Sequence, residues 1–153
     1  MEQVCRRSIS RRTMVNHTVG VGALFYSQDT HRYLFLLRNG QRHNGHWGLV
    51  GGKVEGRELP IQALKREIQE EIGDTPYRKI IPLEHFTSDN EKFEYHTYLI
   101  PVAGEFLPKL NHEHRGYAWT SIEDHPKPLH PGVWRTFNFA SILDKIRTLE
   151  NIL

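Results

Sequence analysis

Apolar and polar positions change period several times along this 153-residue chain. From His17 to Ser27 the segment HTVGVGALFYS sets Val19, Val21, Ala23 and Phe25 on alternate positions, and HRYLFLLR (His31 to Arg38) follows a turn-like Ser-Gln-Asp-Thr. Successive side chains of a strand point to opposite faces, so both segments are predicted as strands. Asn39-Gly40 breaks the pattern, and a polar, histidine-bearing loop from Gln41 to His46 leads to a short run, Trp47 to Val50. After Pro60 the period lengthens: Ile61, Leu64, Ile68 and Ile72 recur at intervals of 3, 4 and 4. That is the core stripe of an amphipathic helix, stopped by Gly73. Arg78 to Thr87 and Lys92 to Val102 return to strand period, the second with Phe93, Tyr95, Thr97 and Leu99 alternating against Glu94, His96, Tyr98 and Ile100. Tyr117 to Ser121 reads as a further short strand. Pro126, Pro128 and Pro131 mark a rigid connection, and Val133 to Leu149 is predicted as a closing helix turning Phe137, Ala140, Ile142, Leu143 and Ile146 to the core. Periodicity alone therefore gives a mixed α/β domain.

Composition narrows this little: 38% hydrophobic and 25% charged residues describe an ordinary globular chain, with no run of about 18 apolar residues to span a membrane. At this length one domain buries about 68 to 70% of its unfolded surface, so residues 17–153 are expected to form a single domain. Residues 1–16 are expected to form a flexible basic tail. Arg6, Arg7, Arg11 and Arg12 against Glu2 give that tail +3 of a total of +2, leaving the body at −1. A near-neutral body lacks the basic stripe of a duplex-binding domain, so nucleic acid is not favoured as a partner. The single cysteine, Cys5, excludes an internal disulfide and points to a reducing, cytoplasmic compartment.

The candidate chemistry lies in Gly52 to Asp74, GKVEGRELPIQALKREIQEEIGD. Glu67, Glu70 and Glu71 fall at i, i+3 and i+4 and share one helix face, about 110° around from the apolar stripe, with Glu58 at the helix entry. Like charges so spaced destabilise a bare helix by roughly 0.2 to 0.5 kcal/mol per pair. A hard cation such as Mg²⁺ or Mn²⁺, bound by carboxylate oxygens, reverses that cost and implies a phosphorylated substrate.

The segment resembles the Nudix box, Gly-x5-Glu-x7-Arg-Glu-U-x-Glu-Glu-x-Gly-U, where U is bulky and apolar. Gly52, Glu58, Arg66, Glu67, Ile68, Glu70, Glu71 and Gly73 stand at the required spacing, and Asp74 departs from it. The resemblance implies an α/β domain of α+β type, an αβα sandwich with a mixed β-sheet between helices. It implies an enzyme, a hydrolase of pyrophosphate bonds that uses Mg²⁺, with Mn²⁺ as a substitute. Carried over residue by residue, Glu67, Glu70, Glu71 and the Gly51 carbonyl would hold metal, while Glu58 partners Arg66, which orients the site. The stretch His112-Glu-His-Arg-Gly-Tyr-Ala-Trp119 resembles a segment in several members that supplies a further glutamate, here Glu113. Glu70 and Glu113 both stand as candidate general bases. His112 and His114 suggest zinc, but no further ligands match them in sequence.

Markers of substrate are weak. Asp89 stands where ADP-ribose hydrolases often have proline, Asn90 to Lys92 where some dinucleoside polyphosphate hydrolases have tyrosine, and the array of NADH hydrolases is missing. The Glu113 to Trp119 likeness favours a nucleoside diphosphate linked to another moiety. The alternatives are a house-cleaning nucleoside triphosphate pyrophosphohydrolase and a non-catalytic module that senses a nucleotide or RNA. Modules of that last kind usually lose box glutamates, and this chain keeps them. Phe93, Tyr95 and Tyr98 could stack a base, and His43, His46 or His130 could meet phosphate, whereas Trp134 and Phe137 are expected in the core. The partner expected is a small nucleotide substrate, with no membrane and with a homodimer left open.

Overall fold

A computed structural model describes residues 17–153; the expected basic tail lies outside them. Seven strands, β1 (Thr18–Ser27), β2 (Arg32–Arg38), β3 (Trp47–Gly48), β4 (Val50–Lys53), β5 (Ile81–Thr87), β6 (Phe93–Val102) and β7 (His114–Thr120), form one mixed sheet. Among the described residues three helices accompany it: α1 (Pro60–Ile72), α2 (Pro131–Phe137) and α3 (Ala140–Ile152).

The sheet is organised by β1, which pairs in parallel with β6 along its whole length. A strand has two edges, so β2 and β4 must share the other. β4 takes Gly20 to Ala23, and β2 takes Tyr26 and Ser27. The sheet forks where they part, and Gly51 and Gly52 sit at that fork. Packing on both faces explains the near-continuous burial of β1. Val21, Ala23, Phe25, Tyr98 and Ile100 pack with Leu64, Ile68 and Ile72 of α1. Leu24, Tyr26, Phe35 and Leu99 pack on the other face with Phe137 of α2 and Ile146 of α3. This is the expected helix–sheet–helix sandwich.

Several boundaries differ from the sequence reading, each for a local reason. β5 starts at Ile81 because its ladder with β6 begins at Ile81 opposite Leu99, while Tyr77 and Ile80 pack against the α1-side core instead. β7 starts at His114, since a register shift at Leu37/Arg38 lets Arg38 pair with His114. The closing helix is two helices. Asn138 caps α2, its side-chain amide donating to the Trp134 carbonyl at 2.7 Å, and Phe139 starts α3. Ala140 is exposed as a result. Trp134, expected in the core, is 58% exposed, and Ile61, expected on the α1 stripe, is 39% exposed. Glu67 and Glu71 occupy the buried face of α1 beside Ala63, Leu64, Ile68 and Ile72.

Candidate active site

The entry to α1 is built from a run of local acceptors. Gln62 accepts the Leu59 amide hydrogen bond at 2.8 Å, and Glu58 accepts that of Glu55 at 2.9 Å. Both supply oxygens where a helix start leaves N–H groups unpaired. Arg66, two turns on, closes back on this entry. Its Nε donates to Glu58 Oε2 at 2.7 Å, its Nη2 to Glu58 Oε1 at 3.0 Å and to the Lys53 carbonyl at 2.9 Å. A planar fork that grips a carboxylate by both oxygens fixes direction as well as charge. Glu58 holds its proton less readily than a free carboxylate because of this Arg66 bond. The remaining Arg66 nitrogen donates to Glu67 Oε1 at 2.9 Å and, more loosely, to Glu70 Oε2 at 3.3 Å.

Glu67 and Glu71 are buried, and Glu70 is about half exposed on the rim. The Glu67 carboxyl is pressed against Gly52; a Cβ there would overlap it. Glu71 Oε1 accepts the Gly51 N–H at 2.7 Å. Gly51 in turn lies against the Val21 carbonyl so closely that no Cβ fits. Both glycines are therefore steric requirements of the fork. Burial raises the proton affinity of Glu67. Burial, with Glu67 and Glu113 adding to it, pushes Glu71 up to about 9.

Glu113 approaches from the loop before β7, held by Asn111. The Glu113 amide donates to Asn111 Oδ1 at 3.0 Å, while the Asn111 side chain donates to the Glu70 carbonyl at 3.1 Å. One asparagine thus ties the Glu113 loop to α1. His114 is buried with its Nδ1 4.0 Å from Glu71 Oε2 and without a hydrogen-bond partner; burial pulls its pKa down to about 4. His112 is exposed, and only its carbonyl is engaged, by Asn39 at 3.3 Å.

Glu67, Glu71 and Glu113 thus crowd together with one guanidinium, one backbone N–H and a neutral imidazole facing them. That donor set fits a hard divalent cation: several carboxylate oxygens brought together with a single guanidinium beside them. Of the expected ligands, Gly51 meets the cluster through its N–H.

Beside the cluster runs a cleft of about 400 Å³ whose walls include Arg38, Arg42, His43, Lys53, Tyr95 and His130. Gly20 and Gly22 form part of its story. The Tyr95 ring lies over them, so side chains at either position would overlap it. His43 and His130 stand edge to face at 4.4 Å. Phe93 and Tyr95 line this cleft, while Tyr98 is on the opposite face in the α1-side core. Arg38 and Arg42 were not singled out in the sequence; only the pairing of β2 with β3 and β7 brings them to the cleft. A larger hollow of about 520 Å³ near Tyr77 and Leu153 has no acidic side chain in its wall.

The family model described as NUDIX domain matches residues 16–139. Over 91 residues the chain is 38% identical to the nucleoside triphosphatase NudI of Escherichia coli O139:H28, a match covering 52% of this chain and 64% of that relative, under two thirds of its length. Among solved structures, the MutT NUDIX hydrolase from Burkholderia pseudomallei superposes with a TM-score of 0.68 at 27% identity, covering 80% of this chain and 97% of its own. The MutT protein from Methanosarcina mazei Go1 gives 0.62 at 28% identity, covering 84% and 94%.

Proposed function

The chain belongs to the NUDIX family, and on that premise we propose that it is a divalent-metal-dependent hydrolase of a pyrophosphate bond in a nucleotide. The convergence of Glu67, Glu71 and Glu113 beside a cation-lined cleft carries this reading. Glu67, Glu70, Glu71 and Glu113, with the Gly51 carbonyl, would hold Mg²⁺ or Mn²⁺, which when bound polarises phosphoryl oxygens and lowers the pKa of water. The chain's own residues do the rest. Arg38, Arg42 and Lys53 draw the phosphates into the cleft by charge. Arg66 locks α1 to its entry so that the box carboxylates keep their spacing. Glu70, half exposed on the rim, would take a proton from an attacking water, and Glu113 is the second candidate for that role. The Tyr95 face, lying on glycines, offers a flat apolar surface for a base.

For the substrate, a nucleoside triphosphate stands first, because the curated relatives carry the name nucleoside triphosphatase. A nucleoside diphosphate joined to another moiety stands second, favoured by the Glu113 to Trp119 segment. The test is product release from nucleoside triphosphates, ADP-ribose, dinucleoside polyphosphates and nucleotide sugars, with Mg²⁺ and with EDTA. Metal-dependent pyrophosphate and nucleoside monophosphate release from a triphosphate is the expected result. Tight binding without turnover of any compound would overturn the enzymatic reading.

A further inference from the structure

Away from the box, imidazoles from two neighbouring strands and from the residue preceding β1 converge on one carboxylate. Glu94 of β6 lies between two of them: His85 Nε2 of β5 is hydrogen-bonded to Oε1 at 2.6 Å, whereas His17 Nε2 lies 2.6 Å from Oε2 but is buried without a hydrogen bond. His85 is the register partner of His96, and the two rings stack with centroids 4.1 Å apart and planes 15° apart. One ligand atom from each of His85, Glu94 and His96 lies within 4.8 Å of the other two. Among the described residues this is the group in which three metal-binding side chains come so close.

Strand geometry explains the meeting. Glu94 and His96 are two apart on β6 and share a face, and a directly opposite residue on an antiparallel neighbour lies on that face too. Hydrogen bonding to Glu94 explains His85. It does not explain a third imidazole stacked flat on the first, because two protonated rings there would repel. Burial and the neighbouring His85 both hold His96 towards its neutral form, which keeps a lone pair available for coordination.

We propose that His85, Glu94 and His96 form a two-imidazole, one-carboxylate site for a borderline divalent transition ion of the Zn²⁺ or Co²⁺ class, with the His17 ring beside the far oxygen of Glu94. The donor set suits such ions and discriminates against Mg²⁺, which prefers oxygen alone. Entry of an ion replaces the His85–Glu94 hydrogen bond and widens that pair from 2.6 Å to about 3.3 Å, the ligand separation set by bonds of about 2.0 to 2.1 Å. The His85 side chain is 53% exposed, so the path from solvent is open. Among the described residues β5 pairs only with β6. An ion bridging the two would fasten the sheet edge by coordination.

The experiment is a Co²⁺ titration of the tag-free full chain in excess Mg²⁺, followed by visible absorption, with Zn²⁺ as competitor and thermal unfolding in parallel. The expected result is one equivalent of Co²⁺ with the intense spectrum of a low-coordinate ion, displaced by Zn²⁺, and a higher Tm with Zn²⁺. His85→Gln, at an exposed position, should weaken binding at least about ten-fold and cancel the Tm gain, as should Glu94→Gln, while Glu70→Gln leaves the spectrum unchanged. No binding, or binding that survives His85→Gln and is lost in Glu70→Gln, would overturn the proposal.

Discussion

Glu71 and Glu94 are both carboxylates on the α1 side of the sheet, yet their surroundings oppose one another. Glu71 faces Glu67 and Glu113 and has one backbone N–H against it. Glu94 has the His85 imidazole hydrogen-bonded to it without any ion. The first cluster is under electrostatic load, while the carboxylate of the second is satisfied by His85. A loaded cluster gains from a hard cation what it loses by burying charge; a satisfied one gains only if imidazole nitrogens coordinate better than they hydrogen-bond. Stability and function should therefore separate in the first cluster and run together in the second.

The sharpest test of that contrast is at the box. Glu70→Gln and Glu71→Gln should each lower turnover about a hundred- to thousand-fold or more, measured as product release at saturating Mg²⁺. In EDTA near neutral pH, Glu71→Gln should raise Tm, because the amide keeps the acceptor for the Gly51 N–H and needs no proton taken up on folding, as a carboxyl pushed up to about 9 does; a fall in Tm would break the comparison. Gly52→Ala comes next. Its methyl group must displace the Glu67 carboxylate, so turnover should drop about a hundred-fold with far-UV circular dichroism unchanged. Gly51→Ala meets backbone instead of a movable side chain, so it should cost about 1 to 3 kcal/mol in urea unfolding.

The smallest effect concerns His130 at the far wall of the cleft. Burial, then His43 and Arg38, bring its pKa down from 6.5 to about 4. A base lowered by folding contributes stability that is whole above 6.5 and is lost as pH falls towards 4, because the unfolded chain takes up a proton the folded one refuses. Its Nδ1 accepts the Gly132 N–H at the start of α2. His130→Asn retains a capping side chain and removes the titration. Its urea-derived stability should fall less steeply between pH 6.5 and 4 than wild type, by up to one proton in the slope.

Legibility in the sequence followed the distance over which each feature is decided. The Glu58–Arg66 pair lies two turns apart on one helix entry, and its contact could be anticipated from spacing. The break at Asn138 could not, because Val133 to Leu149 keeps an apolar recurrence through it and only the two packed helices reveal the cap. Glu70 was expected to share a face with Glu67 and Glu71. It does so by angle, but the sheet covers only the other two.

By itself the sequence determined the box helix, the alternation of β1, β2 and β6, and the carboxylates offered to a cation, because these rest on periods of 3.6 and 2 that the chain carries locally. Tertiary structure alone decided that Tyr95 lies on Gly20 and Gly22, that Arg38 and Arg42 reach the cleft, and that His85 meets His96 over Glu94. Each of those depends on which strands pair and in what register, and that is set by packing between segments far apart in the chain.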